Sequence, residues 1–392
     1  MTANAVFIHH PEASTYRFSD HHPFNPQRLT LTIDLLKASS ALEDHQMLVP
    51  QAADISQLRM VHRSDYIEAV KALSVQNPDH RWTERAQKYG LQSEDTPYFY
   101  GMHAAASILV GGSIQAAEAV LSGQTQHAFH MAGGLHHAFP DHGSGFCVYN
   151  DAAVAIAHIR QKYGARVLYI DTDVHHGDGV QWTFYDDPEV CTYSIHETGK
   201  YLFPGTGFVH EKGVELGFGA CFNLPMEPYT EDDSWLECFS ESIEKITAAH
   251  KPDIIISQHG CDAHAFDPLS HIHCSMKIYR EMPAIIHRLA HQYTQGRWIA
   301  VGGGGYDIWR VVPRAWSLVW LEMSGHPIIS QLDQEGHHLA LPDEWVKKWS
   351  QLSPDPLPAT WLDNTAAWQP MPRRSEITTN NQAIKKVALQ DI

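Results

Sequence analysis

Short, almost uninterrupted apolar runs recur along the chain, and they predict buried strands. The runs RVLYID, DIIIS and WIAV lack the alternation of apolar and polar residues that marks a half-exposed strand. Continuous apolar runs are typical of parallel strands that are covered on both faces. The same criterion predicts strands at Ala5–His9, His127–Met131, Arg166–Asp173, Val190–His196, Asp253–Gln258 and Trp298–Gly302.

The longer segments between these strands predict helices. One of them starts at the pair Asn150-Asp151, and asparagine is a favourable residue immediately before a helix. The predicted helices are Gly101–Leu121, Asp151–Tyr163, Asp232–His250, Met276–Tyr293 and Val312–Met323. Strands that alternate with helices in this way favour a doubly wound α/β domain with a central parallel sheet.

Polar and glycine-rich motifs follow the predicted strands. These motifs are HMAGGLHH, IDTDVHHGDG, SIHETG, SQHGCDAH and VGGGGYD. Open parallel sheets bind ligands beyond the carboxyl ends of their strands. The motifs therefore predict one site at a single edge of the sheet.

Asp173, His175 and Asp262 form a candidate metal site. Asp173 and His175 are two residues apart at a strand end and project to the same side, while Asp262 follows a different strand. An Asp-x-His pair alone is more typical of a capped loop, and the third residue changes that interpretation. Two carboxylates and an imidazole suit Zn²⁺, Fe²⁺, Co²⁺ or Mn²⁺ and leave coordination positions for water and substrate.

The adjacent histidines His136 and His137 are candidates for acid–base catalysis. Without carboxylate partners they would be only a solvated turn. Asp171 and Asp178 flank the metal motif and could fix the histidine tautomers and raise their pKa values. A histidine held in this way can take a proton from water and return it to a leaving amine.

Tyr306 follows a run of glycines at residues 302–305. Such a run alone is typical of a flexible loop, and no Lys-Ser/Thr follows it as in a phosphate-binding loop. Glycine also allows the backbone to approach a ligand closely. The sequence therefore predicts that the phenol could donate to a developing oxyanion opposite the metal.

Composition and charge narrow the possible partners. The chain has 392 residues, 43% of them hydrophobic, which is enough for one large α/β domain. Its formal net charge of −17 disfavours nucleic acid, because phosphates would be repelled. We find no CxxC pair, no signal peptide and no apolar run of the roughly 18 residues that a membrane span needs. We therefore expect a cytoplasmic protein that binds neither nucleic acid nor membrane.

Several longer motifs, in unbroken order, resemble those of the histone deacetylase superfamily. They are HHPFNPQR (21–28), GGLHHAF (133–139), SGFCVYND (144–151), YIDTDVHHGDGVQ (169–181), SIHETGKYLFPGTG (194–207), CDAHAFDPL (261–269) and VGGGGYDIWRVVPRAW (301–316). The resemblance implies the arginase/deacetylase fold, a three-layer sandwich with a parallel sheet between helices. It implies a catalytic domain at 1–325 and a C-terminal extension at 326–392, partly packed on that domain. We expect about the last 15 residues of the extension to be disordered.

The resemblance also implies a metal-dependent amide hydrolase that removes acetyl groups from lysine side chains of proteins through metal-activated water. Asp173, His175 and Asp262 would bind Zn²⁺, with Fe²⁺ or another divalent transition metal as the alternative. An acetylated protein, such as acetyl-CoA synthetase, would be the substrate. The oligomeric state stays open.

Further site residues are carried over from the family motifs. By resemblance, His136 and His137 are the catalytic histidines, paired with Asp171 and Asp178 respectively, and Tyr306 polarises the acetyl carbonyl. Thr96 departs from the cysteine that is common in eukaryotic members. The implied substrate-binding residues are Asp95 at the rim, the carbonyl of Gly145, Phe146 and Phe203 beside the lysine methylenes, Leu269 nearby, and Arg28 near the exit for acetate.

The resemblance further implies structural potassium. The inner site would be formed by Asp171, Ser194 and the carbonyls of Asp173, His175 and Ile195. The outer site would include Phe184, Asp187 and Val190.

Three other functions are weighed against protein deacetylation. An acetylpolyamine or other small-molecule amidohydrolase would use nearly the same catalytic residues. A catalytically silent binding protein would be expected to lack a metal ligand or Tyr306, and all are present. A two-manganese hydrolase of the arginase type would need carboxylates where this chain has Gly177 and His264.

Overall fold

A central parallel sheet organises the part of the chain that the computed structural model describes, residues 5–390 and 392. Its strands are β1 (Ala5–Ile8), β2 (Met47–Leu48), β3 (His127–His130), β4 (Val167–Asp171), β5 (Val190–Glu197), β6 (Cys221–Met226), β7 (Ile254–Gln258) and β8 (Trp298–Val301). Within the described residues they form one sheet in the order β2-β1-β3-β8-β7-β4-β5-β6, and all neighbours are parallel. Two parts of the chain lie outside the described residues. They are residues 1–4, where no signal peptide was expected, and residue 391, in the segment predicted to be disordered.

The predicted strands are all present, and two further strands were missed. β2 has only two residues, too few for a recognisable pattern. β6 reads CFNLPM and carries Asn223 and Pro225, residues that are rare in strand interiors. Because β6 lies at one edge of the sheet, the missing N–H of Pro225 removes no bond from a central pair of strands.

The faces of the sheet are both buried, as the continuous apolar runs predict. Along β4, Leu168 and Ile170 belong to one hydrophobic cluster, whereas Val167 and Tyr169 belong to another on the opposite face. All four side chains are at most 1% exposed. The sheet is therefore the middle layer of a three-layer α/β sandwich, and the predicted architecture of a central parallel sheet between helices is confirmed.

Helices form the outer layers and the connections. They are α1 (Gln27–Ala38), α2 (Ile55–Leu58), α3 (Ser64–Leu73), α4 (His80–Thr83), α5 (Met102–Leu121), α6 (Asp151–Tyr163), α7 (Asp178–Thr183), α8 (Asp232–His250), α9 (Met276–Tyr293), α10 (Val312–Ser324), α11 (Pro327–Glu335), α12 (Asp343–Trp349) and α13 (Arg374–Ala388). The predicted cap of α6 is present, because the side chain of Asn150 accepts a hydrogen bond from the N–H of Ala153 at 2.9 Å. Gly164 ends this helix in the left-handed conformation.

Helix α5 is long and apolar enough to cross a bilayer, by length and composition alone, and it is the one such helix in the described residues. However, 78% of its apolar window is buried inside the protein. It packs against α6 and β3. Its hydrophobic surface is thus used in the core of the domain.

Helix α13 (Arg374–Ala388) includes most of the segment predicted to be disordered, so that prediction is wrong for these residues. Asn381, Lys385 and Ala388 are spaced to share one helix face, and all three are buried. The amide of Asn381 donates to Thr230 at 2.8 Å and to Ser234 at 3.0 Å. The prediction of disorder was wrong because α13 buries polar residues such as Asn381 and Lys385. A polar segment at a chain end is typical of disorder.

Candidate active site

The sheet order brings the predicted motifs together at one edge. The strands that they follow, β3, β8, β7, β4 and β5, are consecutive neighbours in the sheet. Because all of them are parallel, their carboxyl ends lie along the same edge. A cavity of about 400 Å³ opens there, and its lining includes His137, His175 and Tyr306.

The three predicted metal ligands converge below this cavity. Nδ1 of His175 lies 3.1 Å from Oδ1 of Asp173 and 3.0 Å from Oδ2 of Asp262. One donor atom from each residue lies within 4.8 Å of the other two. Asp173 and Asp262 are at most 1% exposed, and two carboxylates buried side by side require a compensating positive charge. This donor set fits a divalent transition metal.

Neighbouring groups orient the two carboxylates. Oδ2 of Asp173 accepts hydrogen bonds from Nε2 of Gln258 at 2.8 Å and from the N–H of Gly304 at 2.7 Å. Oδ1 of Asp262 accepts from the N–H of Val174 at 2.9 Å. A Cβ atom at Gly304 would lie 2.1 Å from Oδ2 of Asp262, so the glycine-rich loop requires glycine here to approach the ligands. The role of Gln258 was missed, since it belongs to no recognisable sequence pattern, whereas the close approach of the glycine run to a ligand was predicted.

His136 is paired with Asp171, as predicted. Nδ1 of His136 lies 2.8 Å from Oδ2 of Asp171, and both side chains are buried. Burial alone would lower the pKa of His136, but the charges of Asp171 and Asp173 outweigh this effect and raise it to about 9. The neighbouring carboxylates therefore favour the protonated form of His136.

His137 is paired with Asp178 and, in contrast to His136, favours the neutral form. Its Nδ1 lies 2.7 Å from Oδ1 of Asp178. Burial, together with the positive charges of His136 and His175, lowers the pKa of His137 well below its usual value. Burial also raises the pKa of Asp178 to about 6. A neutral imidazole that lines the cavity can accept a proton.

Tyr306, which follows the glycine run, lines the same cavity as His137. Its ring makes edge contacts with Phe146, at 5.7 Å between centroids, and with His175, at 6.4 Å. Its N–H donates to Oδ2 of Asp267 at 2.7 Å, a contact that the sequence did not reveal. Burial and the charges of Asp262 and Asp173 raise the pKa of the phenol well above its ordinary value. The hydroxyl is therefore protonated and able to donate.

The predicted substrate-binding residues lie around the cavity, with one exception. The residues of this set that line it are Asp95, Gly145, Phe146, Phe203 and Leu269. Arg28 is buried beneath the glycine-rich loop, where its Nη1 donates to the carbonyls of Gly303 at 2.9 Å and Gly305 at 3.2 Å. It lines a separate, smaller cavity beside Tyr16 and Phe24.

Phe146 has a strained backbone and two hydrogen bonds that hold it. Its φ angle is +70°, which is uncommon for a residue other than glycine. Its N–H donates to Oγ1 of Thr96 at 3.0 Å, and its carbonyl accepts from the hydroxyl of Tyr16 at 2.7 Å. Thr96, singled out from the sequence only as a departure from the family, is thus a direct support of the cavity wall.

The predicted potassium sites, both the ion and the residues that would hold it, stay a prediction, and the structure shows only local contacts among some of those residues. Asp171 and Ser194 are paired across β4 and β5. Phe184, Asp187 and Val190 lie in one turn, where the N–H of Asp187 donates to the carbonyl of Phe184 and that of Val190 to the carbonyl of Asp187. The other predicted contributors are Asp173, His175 and Ile195.

The positions that would bind a second metal in an arginase-type site are used differently. A Cβ atom at Gly177 would lie 2.1 Å from Oδ2 of Asp171, so no carboxylate side chain fits there without a shift. Nε2 of His264 lies 2.9 Å from Oδ2 of Asp363, which belongs to the C-terminal extension. His264 therefore connects the metal-site loop to the extension.

Sequence comparisons agree with this geometry. The family profile described as "Histone deacetylase domain" matches residues 22–323. The acetoin utilization protein AcuC of Bacillus subtilis (strain 168) is 52% identical over 389 residues, which are 99% of this chain and 97% of that protein. The protein of the same name from Staphylococcus xylosus is 44% identical over 381 residues, covering 97% of this chain and 96% of the relative.

Solved structures resemble the whole sandwich. The crystal structure of an HDAC homolog complexed with SAHA superimposes with a TM-score of 0.84 at 27% identity, over 97% of this chain and 100% of the other. The HDAC homolog from Aquifex aeolicus gives a TM-score of 0.81 at 26% identity, again over 97% and 100% of the two chains. With a family profile matched over most of its length and relatives that align from end to end, the chain belongs to the histone deacetylase family.

Proposed function

We propose that this deacetylase-family hydrolase is a zinc-dependent lysine deacetylase that acts on acetylated proteins in the cytoplasm. The observation that carries the proposal is the cavity that contains His137, His175 and Tyr306 and has aromatic walls. A metal site, a proton acceptor and an oxyanion donor thus lie at one pocket. Hydrolysis of an amide needs these three functions together.

The cavity lining fits the acetylated form of a lysine side chain. Phe146, Phe203 and Leu202 provide apolar surface for the methylenes. Acetyl-lysine is neutral, so its burial avoids the cost of desolvating an ammonium group. Glu94 and Asp95 at the mouth supply acceptors for backbone N–H groups of a bound peptide.

Asp173, His175 and Asp262 would hold the metal. The imidazole ligand favours zinc or Fe²⁺ over magnesium or calcium, which prefer oxygen donors. A zinc ion bound there would polarise the acetyl carbonyl and make a water molecule more acidic. A structural potassium ion at the carbonyls around Asp171 and Ser194 is part of the same proposal.

The proton transfers are assigned to the chain's own residues. Neutral His137 accepts a proton as the water oxygen bonds to the acetyl carbon. Tyr306 donates a hydrogen bond to the resulting oxyanion, and the charge on His136 stabilises the same site. The C–N bond then breaks, and the proton moves from His137 to the lysine nitrogen, which leaves lysine and acetate.

A second candidate function is hydrolysis of acetylpolyamines. It is favoured by Glu94 and Asp95, which form an acidic mouth that would attract a cationic small molecule.

The proposed protein substrate rests on the family resemblance and on the relatives' role in acetoin utilization that their names state. A metabolic enzyme such as acetyl-CoA synthetase fits that role.

The deciding experiment is a substrate panel with and without chelator. Acetyl-lysine peptides, longer-acyl peptides and acetylpolyamines are assayed with purified protein, and zinc is then restored. We expect chelator-sensitive turnover that is greatest on acetyl-lysine peptides. Preference for acetylpolyamines would support the second function, and chelator-resistant turnover would contradict the metal-dependent mechanism.

A further inference from the structure

A cluster of three histidines lies at the edge of the sheet opposite the active site. His127 is the first residue of β3, whereas the catalytic motif follows the last residue of that strand. His287 and His291 are one helical turn apart on α9 and face the same side. One ring nitrogen of each histidine lies within 4.8 Å of the other two.

The ring nitrogens of these histidines lie close together. Nε2 of His287 lies 3.1 Å from Nε2 of His127 and 3.1 Å from Nε2 of His291. Ligands of a tetrahedral zinc ion at about 2.0–2.1 Å have separations only a few tenths of an ångström longer. The ring nitrogens of His127 and His291 lie within 4.8 Å of each other, so adjustment of these side chains would allow the three nitrogens to share a cation.

A carboxylate fixes the central ring in the orientation of a metal ligand. Nδ1 of His287 lies 2.8 Å from Oε1 of Glu322, and Glu322 in turn accepts from Nη1 of Arg280 at 3.3 Å. With its proton on Nδ1, His287 presents the lone pair of Nε2 to the other two rings. A histidine that ligates a metal commonly donates its other N–H to a carboxylate in this way.

A shared cation accounts for this arrangement better than hydrogen bonds alone. The Nε2 atom of His287 has a single in-plane lone pair, so it can fully accept only one N–H, yet two rings approach it at the same distance. One metal ion could accept a lone pair from each of the three rings. Imidazole ligands suit zinc, cobalt, nickel and copper and are unsuited to magnesium or calcium.

We propose that His127, His287 and His291 form a second transition-metal site, separate from the catalytic one, that binds Zn²⁺ and connects α9 to the start of β3. His127 is 3% exposed, His287 is partly buried and His291 is exposed. The site therefore opens to solvent on the side of His291, where water completes the coordination. Binding there would cross-link a surface helix to a central strand.

Metal stoichiometry tests the proposal. Chelator-stripped full-length protein is dialysed against Zn²⁺, and bound metal is counted by mass spectrometry. If the catalytic site also binds zinc, the wild-type protein should hold two equivalents, and His291→Gln and Asp262→Ala should each hold one. The double variant should hold none. His287→Gln provides a second variant, and its loss should match that of His291→Gln.

The matched control is His338→Gln. The ring of His338 lies 4.0 Å from that of His337, centroid to centroid, in a tilted arrangement, so this variant tests whether paired surface histidines bind zinc nonspecifically. It should retain both equivalents. Zn²⁺ should also raise the Tm of Asp262→Ala and leave that of the double variant unchanged.

Three outcomes would contradict the second site. His291→Gln and His287→Gln could both still bind two equivalents of zinc. His338→Gln could lose as much zinc as they do, or Asp262→Ala could bind none. Failure of the catalytic assignment looks different, because Asp262→Ala would then bind as much metal as the wild-type protein while His291→Gln still lost one equivalent. Deacetylase activity of His291→Gln should equal that of the wild type.

Discussion

At the scale of single residues, the sequence predicted the chemically reactive groups that line the cavity but not the hydrogen bonds that support its wall. Asp173, His175 and Tyr306 belong to recognisable patterns because chemistry restricts their residue types. Thr96 and Gln258 support them through hydrogen bonds between distant segments. Many polar residues could make such bonds, so the sequence alone does not single these out.

Thr96→Val should weaken the cavity wall. Valine has nearly the same shape but leaves the N–H of Phe146 without its partner at 3.0 Å, and a buried unsatisfied donor costs about 1–3 kcal/mol. Because Phe146 already has a strained φ, we expect KM for acetyl-lysine peptides to rise more than kcat falls. Steady-state kinetics measure this split, and Thr96→Ser, which keeps the hydroxyl, should behave like the wild type.

Tyr306→Phe should remove most activity while the fold and the bound metal persist. The phenol is the proposed oxyanion donor, and the loss of one such donor typically costs about 10²–10³ in kcat. The variant is compared with the wild type in kcat, metal content and Tm. Near-normal turnover would show that Tyr306 does not stabilise the transition state.

At the scale of helices and strands, continuous apolar runs predicted the strands of the sheet. They did not predict helix α13, because the side chains that this helix buries are partly polar. β4 and β7 consist almost wholly of apolar residues because helices cover both faces. Helix α13 instead buries Asn381 and the stem of Lys385, and it docks through hydrogen bonds and ion pairs. A pattern of apolar residues carries no information about such an interface.

Asn381→Ala should loosen helix α13. The substitution removes the hydrogen bonds of the Asn381 side chain with Thr230, Ser234 and the N–H of Glu227, and we expect this loss to cost about 1–3 kcal/mol. Limited proteolysis of the last helix and urea unfolding measure the effect. Asn380→Ala, at an exposed position on the same helix, should change neither.

At the scale of the whole molecule, the C-terminal extension is bonded to the active-site half of the domain. Oδ2 of Asp363 lies 2.9 Å from His264 and accepts from the N–H of Met276 at 2.8 Å. Oδ1 accepts from Arg314 at 2.8 Å. Burial alone would raise the pKa of Asp363, but these partners hold it below its ordinary value of 3.8.

Asp363→Asn should destabilise the protein in a pH-dependent way. Breaking a buried ion pair typically costs about 3–5 kcal/mol, and we expect a loss of this order at pH 7. Because the pKa of Asp363 is depressed in the folded state, its stabilisation is complete above 3.8 and is lost as the pH falls below it. The difference in unfolding free energy between variant and wild type should therefore shrink on acidification.

The measurement is urea unfolding at several pH values. Asp343→Asn is the matched control, since Asp343 forms an exposed ion pair with Lys347 in the same extension. It should have little effect at any pH. A constant deficit for Asp363→Asn across the acid range would show that its charge is not what stabilises the cluster.

The contact between Asp363 and His264 also bears on how far this enzyme can be shortened. The family profile ends at residue 323, which invites truncation just beyond that point. A chain cut there would lose the carboxylate that neutralises Arg314 and anchors the loop two residues from Asp262. We therefore expect truncation at residue 323 to destabilise the loop that carries Asp262, although the family profile ends there.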